Sequence, residues 1–344
     1  MNSGKIRAAL ALCLLAAALA PAARADTVHD LEKQAGTRWR ETITAHGRTL
    51  DFDVAAEVPP VEAMGVYRVR QVRGEQFRSQ PQPELPPKRR GIARRRRAEE
   101  VFAPGALPEG YAAFGNPYTA AQFLADTQAR LAPMLEGAAD TQAQWVTLTG
   151  VSPVYLYDKN AGRWMETAIA GDVGSYSLGF ALSFKGAPLA EGTPFYRDAE
   201  AYFAQGGRQL AAPAWFAHAA GKSAEEYAVY ASLPALAQTF EADAELVPLA
   251  RVLETLRALA QEGLLRGVSH LALGYGTFAV AGEESGDALL LPVWAARAEI
   301  YQDAQAEPYE SYGEVWRSEW TVVIDARTGE LIEREWVEGW PTEE

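Results

Sequence analysis

The sequence predicts an α+β protein in which an amphipathic helix followed by antiparallel strands occurs twice. Three observations carry this expectation. Segments of strict apolar/polar alternation occur in consecutive runs, rather than singly between helices. Two segments, 119–135 and 247–262, instead space their apolar residues as one face of a helix. Each of these two segments is followed by further strand patterns.

The elements follow in chain order. In 49–58, Leu50, Phe52, Val54, Ala56 and Val58 alternate with Asp51, Asp53, Ala55 and Glu57, the pattern of a half-buried strand. Weaker alternation over 37–44 and 65–72 brackets it, with His46-Gly47 as a turn and Pro59-Pro60 as a break. Thr119 and Gln122 fit a capping box, and Phe123, Leu124, Thr127, Leu131, Met134 and Leu135 share a helical face that Pro133 should kink or end. Strands are expected at 144–149 and 154–157, then a turn at 158–162 before Trp164. The clearest strand is 176–184, where Tyr176, Leu178, Phe180, Leu182 and Phe184 point one way; Lys185-Gly186-Ala187-Pro188 turns it. A short helix is expected at 194–205 and a strand at 225–233. The helix at 247–262 ends at Gly263, suited to a C-terminal cap. Strands at 269–280, 289–295, 319–325 and 330–337 close the chain, the last two joined by Ala326-Arg327-Thr328-Gly329.

The N-terminus reads as a cleavable export signal. Lys5 and Arg7 precede an apolar run over 8–20; Pro21 breaks it, and Ala23-Arg24-Ala25 supplies small residues for cleavage before Asp26. The run is shorter than the ~20 residues a membrane span needs. Cys13 lies within it, but Leu12 precedes it where a lipoprotein signal needs a small residue. Cleavage leaves a chain without cysteine, so its stability must come from packing. The expected organisation is a signal peptide at 1–25, an N-terminal α+β domain at 26–205 and a C-terminal domain at 206–344.

Charge narrows the partners. A net charge of −13 argues against nucleic acid, which selects basic surfaces. One exception interrupts the acidic chain. Residues 79–99 combine prolines with Lys88, Arg89, Arg90, Arg94, Arg95, Arg96 and Arg97. Such a block repels itself, and a solvated loop or disordered insertion is expected; Arg94 to Arg97 would then be free to touch anionic lipid or wall polymer.

No catalytic motif emerges. With four histidines and one cysteine, zinc and iron–sulfur sites have few ligands, and no cofactor is expected. His218 and His270 lie well inside the chain, yet no H-E-x-x-H spacing exists, and Gly267-Val268-Ser269-His270-Leu271 departs from the G-x-S-x-G elbow. Asp325 with Gly329 reads as a turn. Trp316, Trp320, Trp336 and Trp340 recur at a spacing that keeps each pair on one strand face; they are core material or an aromatic binding surface.

The C-terminal strands carry a resemblance. Leu271-Ala272-Leu273-Gly274-Tyr275, Leu290-Leu291-Pro292-Val293-Trp294 and Val323-Ile324-Asp325-Ala326-Arg327-Thr328-Gly329-Glu330 resemble the PepSY-like units of exported Gram-positive proteins. Accessory regulators of the essential cell-wall kinase, of the YycI and YycH type, look similar here, as do clostridial secreted lipoproteins of unknown function. The resemblance is concentrated over 247–337. It implies tandem PepSY-like or cystatin-like units, each a helix against an antiparallel sheet. It also implies an extracytoplasmic, non-catalytic binding or regulatory role toward an envelope protein or peptide. The alternative class is a secreted hydrolase of wall polymer.

Overall fold

The computed structural model describes residues 28–34, 36, 38–79, 94–95, 98–153, 155–158, 163–164, 173–190, 213–280, 287–300, 319–333 and 336–337. The expected signal residues Ala23, Ala25 and Asp26, together with Cys13, lie outside them, as does the helix expected at 194–205. Three helices are described: α1 (Val28–Glu32), α2 (Ala120–Glu136) and α3 (Leu249–Gln261). The strands are β1 (Arg38–Ala45), β2 (Arg48–Glu57), β3 (Val66–Arg78), β4 (Arg94–Arg95), β5 (Ala98–Phe102), β6 (Thr141–Val151), β7 (Tyr155–Asp158) and β8 (Arg163–Trp164). They continue with β9 (Ser175–Phe184), β10 (Ala187–Pro188), β11 (Phe216–Ser223), β12 (Glu226–Glu241), β13 (Leu265–Val280), β14 (Ala288–Ile300), β15 (Glu319–Asp325) and β16 (Trp336–Val337).

Thirteen of these strands form one sheet. Its main path runs β1-β2-β13-β14-β3-β12-β11-β9-β6-β5, with β10 on β9, β15 on β14 and β16 on β13. This corrects the expectation of tandem helix-on-sheet units, each with a sheet of its own. The element that overturns it is β3. Its first residues pair with β14, its whole length pairs with β12, and Arg68 bridges to Asp287 at 3.0 Å. Strands from either side of residue 205 therefore alternate in a single sheet. The sheet is also mixed, because β2 and β16 run parallel to β13. Local alternation shows that a segment is a strand, but it carries no record of which distant strand lies beside it.

The sheet closes on itself. β9 turns into β10, and the next residue, Leu189, bridges to Tyr275 of β13; the Ala190 amide donates to the Tyr275 carbonyl at 2.8 Å. The ring β13-β14-β3-β12-β11-β9-β10 is thereby complete. Its interior is filled by side chains from opposite walls. Tyr67, Phe184 and Tyr275 meet with ring centroids 5.5 to 5.9 Å apart, the tilted and edge-on arrangements aromatic quadrupoles favour. Leu178, Leu233, Leu273 and Trp294 belong to the same buried cluster.

Each large helix covers part of this sheet. α2 packs over β3, β6, β9, β11 and β12 and buries Phe123, Leu131 and Met134; Phe123 stacks on Tyr176 at 5.2 Å. α3 packs on β1 and β13 and buries Leu249, Val252, Leu256 and Leu259. Arg257 of α3 donates to both oxygens of Glu41 on β1, at 2.9 and 3.0 Å, and the Trp39 indole donates to the same carboxylate. These donors, Arg257 first, hold the Glu41 carboxyl below its usual range.

Local chemistry explains the boundaries. His46-Gly47 and Lys185-Gly186 are two-residue turns with both residues at positive φ, the geometry that matches strand twist in a tight hairpin. Thr119 accepts from the Gln122 amide at 3.3 Å, and the Gln122 side chain accepts from the Thr119 amide at 2.8 Å, completing the capping box. Thr119→Ala is expected to lower stability by about 1 kcal/mol, with Thr119→Ser retaining most of it. Urea midpoints of the two variants check this. Pro133 is exposed and leaves only one further turn of α2. Two prolines sit inside strands where no neighbour needs their missing donor. Pro234 of β12 lies just beyond the last residue paired with β11, and Pro292 of β14 falls between the stretch on β3 and the stretch on β15.

The end of the arginine run also differs from expectation. Arg94 and Arg95 pair with Leu156 and Tyr155 of β7, and Ala98–Phe102 extends the large sheet beside β6. At these residues the backbone is strand and not loop; 80–93, 96 and 97 lie outside the described residues.

Candidate site at the seam of the sheet

The structure separates the residues singled out for binding. Trp320 lies on β15 opposite Ala298, and Trp336 lies on β16 beside Ala279. Ala298 faces Val268, so the two tryptophan positions are offset by most of β13, on the order of 30 Å. Trp316 and Trp340 lie outside the described residues, as do Arg96 and Arg97. Asp325 is a turn residue: its carboxylate accepts from the Arg327 amide at 2.8 Å and holds the Arg327 guanidinium at 2.7 Å, and its carbonyl accepts from Gly329. His218 stands on β11 between Phe216 and Tyr230, ring centroids 5.4 and 5.1 Å away.

A different group of residues comes together where the ring closes. One edge of β13 is dressed by two short segments in turn, Ala56–Glu57 of β2 and then Leu189. Between them opens a cleft of about 230 Å³. Its floor is the face of β13 and β14 that carries Ala272, Gly274 and Ala295, and Pro188, Leu189 and Ala190 form one wall. A Cβ on Gly274 would stand 2.5 Å from the Pro188 carbonyl oxygen, so only glycine lets the hairpin approach this closely.

One end of the cleft is polar. His270 on β13, Arg297 on β14 and Thr321 on β15 form a single cross-strand row. Glu57, paired with Ala272, completes the set from the far side of β13, and its carboxylate lies 3.3 Å from His270 Nδ1. A bulge just before His270 shifts the register of β13 against β14. Bulges of this kind re-aim side chains and recur beside functional sites.

Glu57 and His270 keep 65% and 41% of their side-chain surface exposed, so water screens both. Ser269 does not engage His270; its hydroxyl donates to the Arg297 carbonyl at 3.3 Å. Among the described residues Glu57 is the one carboxylate lining the cleft, whereas glycoside hydrolysis needs a pair. No cluster of three or more candidate metal ligands occurs among the described residues. A second depression of about 480 Å³ lies at the start of α3, beside Arg251 and Arg327, but Glu254 and Asp325 already hold those two arginines.

Sequence reasoning weighed His270 and passed over Glu57, Arg297 and Thr321. The available signal was the run of small residues Ala272, Gly274 and Gly276 on the outward face of a long strand. Small residues at alternate positions mark a strand face that something approaches closely.

No protein-family model matches the chain, and no curated protein matches it. Among solved structures it is similar to an uncharacterized protein from Eubacterium rectale ATCC 33656, at 12% sequence identity and a TM-score of 0.45, over 88% of this chain and 97% of that chain. No helix among the described residues is long and apolar enough to cross a membrane.

Proposed function

We propose that the chain is an exported, non-catalytic binding protein of the cell envelope that holds a segment of an envelope protein or peptide in the seam cleft. The observation that carries this reading is the cleft itself. At about 230 Å³ it is smaller than the roughly 300–1,000 Å³ of sites that enclose a small-molecule ligand. It is half-open, floored by small side chains and bordered by strand backbone, which suits a short stretch of extended chain. The export signal read at 1–25 and the resemblance of the C-terminal strand motifs to exported proteins support the compartment and the role. A wall-polymer hydrolase is less well supported, because the described residues of the cleft include a single, largely exposed carboxylate.

A photo-crosslinking residue placed at position 272 tests this in intact cells expressing the full chain. The expected result is a discrete adduct with an extracytoplasmic protein, absent when the probe sits at position 218 on the outer face of β11. The Ala295→Trp variant, which fills the floor, should abolish the adduct. Equal labelling from both positions, or accumulation of the unprocessed chain in the cytoplasm, would overturn the proposal.

A further inference from the structure

We propose that the seam cleft recognises the free carboxyl end of a peptide whose last residues have small side chains. This rests on the reading of the cleft as the binding site and names its ligand class. The central residue is Arg297. It is exposed, it stands mid-row between His270 and Thr321, and its side chain makes no hydrogen bond or ion pair among the described residues. That is notable in a chain with 45 acidic and 32 basic residues. The acidic residue two positions along β14, Glu299, is engaged by Arg266 at 3.7 Å and leaves Arg297 unopposed. A guanidinium presents a planar fork of donors that matches a carboxylate two bonds at a time.

The far side of the same polar end carries the opposite charge. Glu57 lies two strands away from Arg297, about 10 Å across the sheet. Glu57 is a pure acceptor, and a peptide with its carboxylate on Arg297 would direct backbone N–H groups toward it. The length fits one or two residues. Between the two charges on β13 stand Ala272, beside Glu57, and His270, beside Arg297; Ala295, Ala181 and Ala190 continue the floor. Methyl and hydrogen side chains fill what remains; larger ones would meet the β9–β10 hairpin that Gly274 draws against β13.

The test titrates the full chain by calorimetry with N-acetyl-Gly-Ala-Ala as the free acid, its C-terminal amide, and N-acetyl-Gly-Trp-Trp as the free acid. The small free acid should bind, with the amide and the bulky acid at least ten-fold weaker. Arg297→Gln should bring the acid down to the level of the amide, and Arg297→Lys should recover part of the difference. Ala272→Trp should abolish binding. Equal affinity for acid and amide, or a preference untouched by Arg297→Gln, would overturn the inference. If Ala272→Trp blocks binding while acid and amide are equal, the carboxylate recognition alone fails. If the acid binds Ala272→Trp unchanged, the cleft is not the site and the proposed function fails with it. Binding of neither small peptide also refutes the inference, and the crosslinking from position 272 then judges the cleft separately.

Discussion

Gly65→Ala is expected to cost about 3 kcal/mol of stability, at the upper end of the range for forcing atoms into a packed interior. A Cβ at Gly65 would collide with the carbonyl oxygens of Glu241 and Ala242, and with the Tyr67 hydroxyl at 2.7 Å. The two carbonyls belong to backbone, so no rotamer change relieves the clash. The surrounding chain is also pinned. Ala244 donates to the Met64 carbonyl at 2.7 Å, and the Gly65 amide donates to the Tyr275 hydroxyl at 3.2 Å. Moving position 65 therefore disturbs the end of β12 and the aromatic cluster inside the ring together. Gly267→Ala is the control, because a Cβ there meets nothing within 4 Å. Urea denaturation should show a large drop in midpoint for the first variant, at an unchanged slope, and little change for the second. A loss below about 1 kcal/mol at position 65 would mean that the β3–β12 junction is looser than described.

The second large effect is alkaline. Tyr275, Tyr176 and Tyr118 all have hydroxyls pushed above the ordinary tyrosine range. Burial is the leading cause in each; for Tyr118 the nearby Asp126 carboxylate, 2.5 Å from the hydroxyl, adds to it. The sign follows from which state loses its proton first. In the unfolded chain these groups ionise near pH 10, while in the folded chain they stay neutral to higher pH. Stability is therefore complete below about pH 10 and falls as pH rises through and above it. Each such group steepens the fall by up to about 1.4 kcal/mol per pH unit. Denaturation midpoints measured from pH 8 to pH 11.5 should hold steady and then drop. Tyr275→Phe should flatten the decline while lowering neutral stability by about 1–3 kcal/mol, because it leaves the buried Gly65 amide without its acceptor. Unchanged midpoints above pH 10 would contradict the burial of these tyrosines.

Much of the local structure was legible because its causes are local. The alternation in 176–184 does place Tyr176, Leu178, Phe180, Leu182 and Phe184 inside, since a pleated strand sends every second side chain to one face. His46-Gly47 and the Thr119–Gln122 box were readable for the same reason: their partners lie within three residues. The expected end of a strand at Leu233 failed at Pro234. A proline usually ends a central strand, but here the adjacent strand β11 has already stopped, so β12 continues to Glu241. The site was the least legible part. Glu57 and His270 meet only because β2 lies parallel to β13, and Arg297 joins them through a register that bulges have shifted. None of this is encoded in spacing along the chain.

The insertion of β3 between β12 and β14 has a kinetic meaning. Arg68 and Asp287, which fasten β3 to β14, are 219 positions apart, and Gly65 waits for Tyr275 across 210. As a chain emerges from a ribosome, β3 has no neighbour, and the β1–β2 hairpin has only itself, for most of the time of synthesis. Closing such long loops must precede any return from the contacts they make, which slows assembly. Until then the early strands present bare hydrogen-bonding edges, the feature that invites association with other chains. Closure of the ring is thus a late event that awaits β13 and β14, and the nascent N-terminal third is the stretch most in need of a chaperone.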